Sequence, residues 1–222
     1  MHPLFWVFLS LLAVKLLGLH RFTPMPLLFR SLPRPVKYLL TVLAFYPSIL
    51  CTRVFCFIAS ATGCSAVRLS SRISPTLVLG TAPVFPSFVA TLHADGVRNV
   101  INLCAEWNRN EALYALRGMR QLYLPTIDFE APTVDDLLKA LDFISAAEKR
   151  GEGVYVHCKA GRGRSAIVVL AHFVATQGVT PHEADALVRA RRPNIAQGKA
   201  DLPLWGELAA ALAARRRRPP QL

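Results

Sequence analysis

Val154-Tyr155-Val156-His157-Cys158-Lys159-Ala160-Gly161-Arg162-Gly163-Arg164-Ser165, with the apolar run Ala166-Ile167-Val168-Val169-Leu170 behind it, is the stretch that decides the fold. A β-branched run containing one aromatic residue gives way to a glycine-containing loop and then to apolar residues of helix length. That order reads as buried strand, tight loop and core helix. Gly161 and Gly163 lack the Cβ that would keep successive backbone N–H groups from turning inward as a concave nest for an anion. The helix that follows adds the positive end of its dipole. A sulfur at the mouth of such a nest, near two arginines, is favoured as thiolate, so Cys158 is expected to be a nucleophile at neutral pH.

Five residues separate Cys158 from Arg164, Ser165 follows directly, and His157 precedes the cysteine. This arrangement resembles the signature of the protein tyrosine phosphatase superfamily in its dual-specificity branch, and the resemblance extends more weakly over residues 73–208. Basic residues at Lys159 and Arg162 are similar to those of phosphatases acting on phospholipids, both the phosphoinositide 3-phosphatases and the mitochondrial phosphatidylglycerophosphate phosphatases. The resemblance implies a phosphomonoester hydrolase working through a cysteinyl-phosphate.

The composition sets bounds on this reading. At 222 residues and 53% hydrophobic, with three Trp and twelve Phe, the chain can bury one sizeable core. The net charge of +12 is uneven, because no Asp or Glu occurs before Asp95. Eight basic residues stand in that first part, whereas the remainder holds 18 basic and 14 acidic residues, the excess matching Arg215 to Arg218. A nearly neutral middle argues against a nucleic-acid-binding face. Five scattered cysteines give neither a metal-ligand spacing nor a disulfide framework, so no metal and no cofactor are expected. A nucleophilic thiolate also needs a reducing compartment.

Residues 4–19 are almost wholly apolar but short for a membrane span, and 1–37 also fits a mitochondrial import segment. A second apolar stretch, 38–66, is long enough to span, broken only by Arg53 and an expected turn at Pro47. Three readings stand side by side: membrane helices, a cleavable targeting peptide, and a buried helix of the folded domain. Membrane attachment is the one adopted, because both runs are flanked by basic residues. The organisation expected is a hydrophobic, basic anchor or targeting region over 1–70, a catalytic domain over 71–214 and a disordered basic tail over 215–222. The location expected is the mitochondrial inner membrane, or another membrane with the domain facing the cytosol.

Within the catalytic region, strand-like runs at Leu77-Val78-Leu79-Gly80, at 98–103 and at 121–124 alternate with helical segments at 87–95, 108–118 and 133–150. In the last of these Thr133 is the N-cap, Asp135 and Asp136 sit in the first turn, and Gly151 is the terminator. Further helices are expected at 164–176, at 180 onward with Thr180 and Glu183 as a capping box, and at 202–214. Strands alternating with helices at this spacing give an α/β domain with a central, mostly parallel sheet flanked by helices, preceded by hydrophobic N-terminal helices.

Hydrolysis through cysteine needs an in-line thiolate, donors for the phosphoryl oxygens and an acid for the leaving oxygen. Cys158 is the nucleophile. Arg164 is expected to hold two oxygens in a fork, and the backbone of Lys159, Ala160, Gly161, Arg162 and Gly163 the rest. Ser165 is placed to bond the sulfur and help it leave. His157 either orients the loop or is a satisfied core histidine. Asp128, on a strand-following loop thirty residues before Cys158, is the candidate general acid and base, with Glu130 the runner-up. Cys104-Ala105-Glu106-Trp107 resembles the acidic, aromatic loop of the mitochondrial lipid phosphatases, where Glu106 and Trp107 would line the pocket; a packed strand-end tryptophan is the alternative. Lys159 and Arg162 either meet a second phosphate of a highly charged headgroup or are solvated surface charges.

The substrate expected is an anionic phospholipid, with a phosphoprotein as the alternative, and no nucleic-acid partner. A non-catalytic phosphate-binding module and a sulfurtransferase are the remaining rivals, disfavoured because a binding module does not need Cys158.

Overall fold

A computed structural model describes residues 29, 31–61 and 68–217. The expected segment 4–19 lies outside the described residues. In chain order the elements are α1 (Arg34–Ala61), β1 (Ser70–Arg72), β2 (Leu77–Gly80), α2 (Pro86–Ala94), β3 (Val97–Cys104), α3 (Glu111–Ala115), β4 (Arg120–Thr126), α4 (Val134–Glu148), β5 (Gly153–His157), α5 (Arg164–Gln177), α6 (Pro181–Arg191) and α7 (Leu204–Arg217).

The five strands form one sheet in the order β1-β2-β5-β3-β4. β2, β5, β3 and β4 run parallel, and only the short β1 is antiparallel to its neighbour. β5 holds the centre because Val154, Tyr155 and Val156 are fully buried and both its edges are paired. Pro125 falls inside β4, an edge strand, where a residue without an N–H is tolerated. Sequence order makes β5 a late insertion between β2 and β3, so the loops leaving the carboxyl ends of these strands diverge there and leave a crevice. Cys158 starts the loop at that point.

Local chemistry accounts for the helix ends. The Thr133 hydroxyl accepts from the Asp136 backbone N–H at the start of α4, and Thr180 with Glu183 forms a reciprocal capping box on α6. Gly178, at φ 69°, closes α5 in the left-handed conformation that a Cβ would disfavour. α5 is buried for its first ten residues, which makes it the core helix behind the loop.

Three expectations change. The segment 108–118 folds as a five-residue helix only, Glu111–Ala115. Pro47 does not make a turn: α1 runs unbroken through it for 28 residues, the cost being the one backbone bond that Pro47 cannot donate to the carbonyl of Leu43. The basic tail is not wholly irregular, since α7 continues to Arg217 and Arg215 donates twice to the Asp142 carboxylate, at 2.8 and 3.0 Å. Arginine propagates a helix well, and three of them near its carboxyl end suit the dipole.

The boundary drawn at residue 70 does not separate two packing units. Phe45 and Ile49 of α1, 1% and 5% exposed, belong to the same core cluster as Leu103, Trp107, Val156 and Ile167. Phe45 stacks on Trp107 with ring centroids 5.8 Å apart and planes 13° from parallel. Lys37 pairs with Glu130 at 3.4 Å, and the Arg53 guanidinium lies 4.2 Å from the centre of the Phe85 ring. α1 is therefore held at three places along its length. Replacing Phe45 by Ala should lower unfolding free energy by about 3–5 kcal/mol in urea titration; a helix that only anchors the domain from a distance would show no change.

Candidate active site

The nucleophile and the two carboxylates of the expected site each stand just past the carboxyl end of a strand. Cys158 follows β5, Asp128 follows β4, and Glu106 follows β3. Cys158 is 3% exposed, and the Ser165 hydroxyl donates to its sulfur at 3.2 Å. Burial alone would raise the Cys158 thiol; the Arg164 charge and the Ser165 hydroxyl and backbone N–H overrule it and leave the pKa below the ordinary thiol value. Neighbouring Cys104, also buried, is pushed the other way by desolvation and stays a thiol.

Arg164 sits at the first turn of α5, 2% exposed. Its Nη1 donates to Glu106 Oε2 at 2.8 Å, to the Thr126 carbonyl at 2.7 Å and to the Leu103 carbonyl at 3.3 Å. Nη2 donates to Glu106 Oε1 at 2.7 Å and lies 3.0 Å from Asp128 Oδ1. The guanidinium is thus clamped by a bidentate carboxylate and by the ends of β3 and β4. Its Nε is buried without a hydrogen-bond partner among the described residues, a donor fixed in place by the other two nitrogens.

Asp128 faces two cations, Lys159 Nζ at 2.5 Å and Arg164 at 3.0 Å, and accepts from the Phe129 backbone N–H at 3.2 Å. Its burial favours the neutral acid, but the charges of Arg164 and Lys159 prevail and hold the carboxyl below its usual range. Phe129, next to it, is the one non-glycine residue with positive φ among the described residues, at 67°, a conformation that costs energy and fixes the direction of this loop.

Several sequence expectations land differently. Glu106 does not line an open pocket: its side chain is fully buried and grips Arg164. Trp107 is 5% exposed, its faces taken by Phe45 and the edge of His157, so it is the packed strand-end tryptophan. Lys159 is neither solvated nor turned outward but pairs with Asp128. Arg162 donates through Nε to the Asn194 carbonyl at 2.6 Å, which binds the loop to the segment after α6. His157 is fully buried against Tyr155 and Trp107. Its ring nitrogens have no hydrogen-bond partner among the described residues, and burial brings its pKa down to about 3. It packs as a neutral ring beside the Cys158 backbone, the polar group that acts on it most directly. Glu130 joins α1 through Lys37 and Arg34 rather than joining the cysteine.

Arg192 was not singled out by sequence, yet it braces the loop from behind. It is 1% exposed and donates to the Gly161 carbonyl at 2.8 Å, the Ala160 carbonyl at 3.3 Å, the Arg68 carbonyl at 3.1 Å and Ser71 Oγ at 3.1 Å. By holding two loop carbonyls outward, it leaves the adjoining N–H groups to face inward. The only signal in the sequence was an arginine before Pro193 at a helix end, which carries no address for a partner thirty residues away. Gly161 completes the brace: at φ 66° it passes so close to Gly80 that a Cβ would lie 2.3 Å from the Gly80 carbonyl oxygen.

Removing the hydroxyl that bonds the sulfur tests this electrostatic arrangement. With Ser165→Ala the Cys158 pKa rises, so the pH profile of iodoacetamide alkylation should move upward by about one unit and alkylation at neutral pH should slow. An unmoved profile would mean that Arg164 alone sets the thiolate.

This geometry has known counterparts. The model of the dual specificity phosphatase catalytic domain matches residues 77–208. Phosphatidylglycerophosphate phosphatase PTPMT1 of Arabidopsis thaliana is 36% identical over 134 residues, covering 59% of this chain and 40% of that protein. Phosphatidylglycerophosphatase and protein-tyrosine phosphatase 1 of Homo sapiens is 34% identical over 146 residues, 63% of this chain and 71% of that one. This chain thus spans less than half of the Arabidopsis protein. The crystal structure of PTPMT1 in complex with PI(5)P aligns with a TM-score of 0.60 at 27% identity, covering 67% of this chain and 99% of that chain. With strand order, loop and catalytic-domain match in agreement over more than half its length, the chain belongs to the dual specificity phosphatase family, in the protein tyrosine phosphatase superfamily.

Proposed function

We propose that this protein hydrolyses a phosphomonoester on an anionic phospholipid, phosphatidylglycerophosphate or a phosphoinositide, through a cysteinyl-phosphate. The observation that carries the reading is the meeting of Cys158, Ser165, Arg164, Asp128 and Lys159 at one crevice of the sheet. Cys158 Sγ attacks phosphorus in line, and the bond to the ester oxygen breaks as Asp128 delivers its proton to that oxygen. Arg164 and the inward N–H groups of the loop take the equatorial oxygens. Water then attacks the phosphorus with Asp128 as base, phosphate departs, and the sulfur leaves as a thiolate stabilised by the Ser165 hydroxyl.

Asp128 must be protonated for the first step, although in the free enzyme its two cations hold it as carboxylate. A phosphate dianion that draws Arg164 and Lys159 to itself removes that stabilisation and adds negative charge, so the carboxyl gains a proton as substrate binds. Lys159 is thereby assigned to the acid rather than to a second headgroup phosphate.

The lipid reading is supported by the names of the relatives, which describe phosphatidylglycerophosphate phosphatases, and by the phosphoinositide in the complex of PTPMT1. The human relative's name also includes protein-tyrosine phosphatase, which keeps a phosphoprotein as the second reading. The acid-free, basic first 94 residues favour a mitochondrial location at the inner membrane.

Two experiments test these roles. Phosphate release from phosphatidylglycerophosphate, a phosphoinositide panel and a phosphotyrosine peptide, with Cys158→Ser as blank, should favour a lipid by roughly tenfold or more in kcat/KM; preference for the peptide would make this a protein phosphatase. Replacing Lys159 by Met should raise the Asp128 pKa, keep the acid protonated to higher pH and move the alkaline limb of the kcat profile upward. An unchanged limb, or Asp128→Asn impairing activated aryl esters as severely as alkyl esters, would remove Asp128 from the acid's role.

A further inference from the structure

α1 carries two apolar faces, and only one is used by the fold. Thr41, Phe45 and Ile49 form the packed side, 3%, 1% and 5% exposed, whereas Leu39, Leu43, Leu50 and Phe57 on the outer side are 57%, 65%, 53% and 75% exposed. No acidic residue occurs anywhere in the helix. The segment passes a length-and-hydropathy test for a membrane span over Arg34–Ile58, with a mean hydropathy of 1.7. The contacts on its inner side make a span incompatible with the fold. From the Lys37–Glu130 pair to the Arg53–Phe85 contact the helix is tied to the domain over sixteen residues, about 24 Å of axis. A hydrocarbon core is about 30 Å thick, so a spanning α1 would draw the charged domain into the lipid or be torn from it.

We propose that α1 instead lies in the plane of an anionic bilayer surface, its outer face in the headgroup–acyl boundary, with the catalytic crevice beside it. This rests on the phosphatase reading for its purpose but not for its geometry. Charge complementarity selects an anionic surface: the chain has eight basic and no acidic residues before Asp95. Arg34, at the start of the helix, has a side chain 79% exposed. At the other end an open cavity of about 700 Å³ is lined by Arg53 and Arg68 together with Cys56, Phe57 and Phe88, and by no carboxylate. Guanidinium groups beside the exposed Phe57 ring suit a lipid headgroup and the upper part of its chains.

The helix also reaches the site. Phe45 stacks on Trp107, the residue after the Glu106 that clamps Arg164, and Lys37 pairs with Glu130, two residues after Asp128. Phe129, between those two acids, is itself 54% exposed. α1 therefore stands beside the crevice on the side of the acid loop, and a bilayer on its outer face would bring a lipid phosphate near that loop without its acyl chains leaving the membrane.

The test uses the full chain and vesicles of phosphatidylglycerol with phosphatidylcholine. Leu43→Glu with Leu50→Glu should lower the vesicle-bound fraction by roughly tenfold or more, while turnover of a soluble aryl phosphate stays as in the parent. On the unaltered protein, zero-length carbodiimide coupling of Lys37 to Glu130, read by mass spectrometry, should proceed equally with and without vesicles. Undiminished binding of the double variant would overturn the proposal and point to another cover for this face, such as residues 1–28 or a second copy. Coupling lost on vesicles would overturn it in favour of a spanning helix. An unaltered protein that binds vesicles but fails on the aryl phosphate would sink the phosphatase reading and leave the docking surface standing.

Discussion

The buried charge of Arg164 is the constraint on which the rest depends. A guanidinium 2% exposed must be compensated where it lies, and here the compensation comes from Glu106 together with the carbonyls of Leu103 and Thr126, the ends of two neighbouring strands. The residue that would bind the transition state also pins the carboxyl edge of the sheet. Within this site two cations, Arg164 and Lys159, face three anions when Cys158 is a thiolate: Glu106 and Asp128 in direct pairs, and the sulfur through the field of Arg164. A phosphate dianion brought into that cluster shifts its balance toward taking up a proton, and Asp128, less deeply buried than Glu106, is the carboxylate placed to take it. Acid readiness follows from charge count and needs no apolar pocket.

The loop itself is held from outside rather than by its own sequence. Arg192 and the Ala82 and Ala196 backbone N–H groups bond to carbonyls of Ala160, Gly161, Lys159 and Arg162. Each such contact turns an acceptor away from the cavity, and in a tight loop an outward carbonyl obliges the following N–H to face inward. Gly161 is irreplaceable on two counts there, its φ of 66° and its approach to Gly80. The site is thus assembled from strand ends, but its inward dipoles are maintained by β1, β2 and the segment after α6.

What could be read from the sequence follows from how local the chemistry is. The Cys158–Ser165 run was legible because nest, nucleophile and arginine must be contiguous, and the caps at Thr133 and Thr180 because capping acts over three residues. Glu106, Trp107, Lys159 and Arg192 were misread or missed because their partners lie dozens of residues away in sequence, and an isolated charge or ring does not announce which distant atom it meets. α1 is ambiguous for a different reason. Hydropathy counts apolar residues whatever covers them, so a helix with one face in a protein core and one outside scores as a membrane span.

That ambiguity has a physical resolution. An apolar stripe on each side of one helix is wasteful in water, where the outer stripe costs roughly 25 cal/mol for every exposed Å², and pointless in a spanning helix, where no stripe needs a protein partner. It is economical where the outer stripe meets a second apolar surface, such as the bilayer proposed above. Trp107 would make such a boundary mechanically relevant to catalysis, since the ring on which Phe45 rests belongs to the residue next to Glu106, whose carboxylate holds Arg164. A displacement of α1 therefore has a short path of packed atoms to the phosphate-binding guanidinium, whereas a tethered anchor would have none.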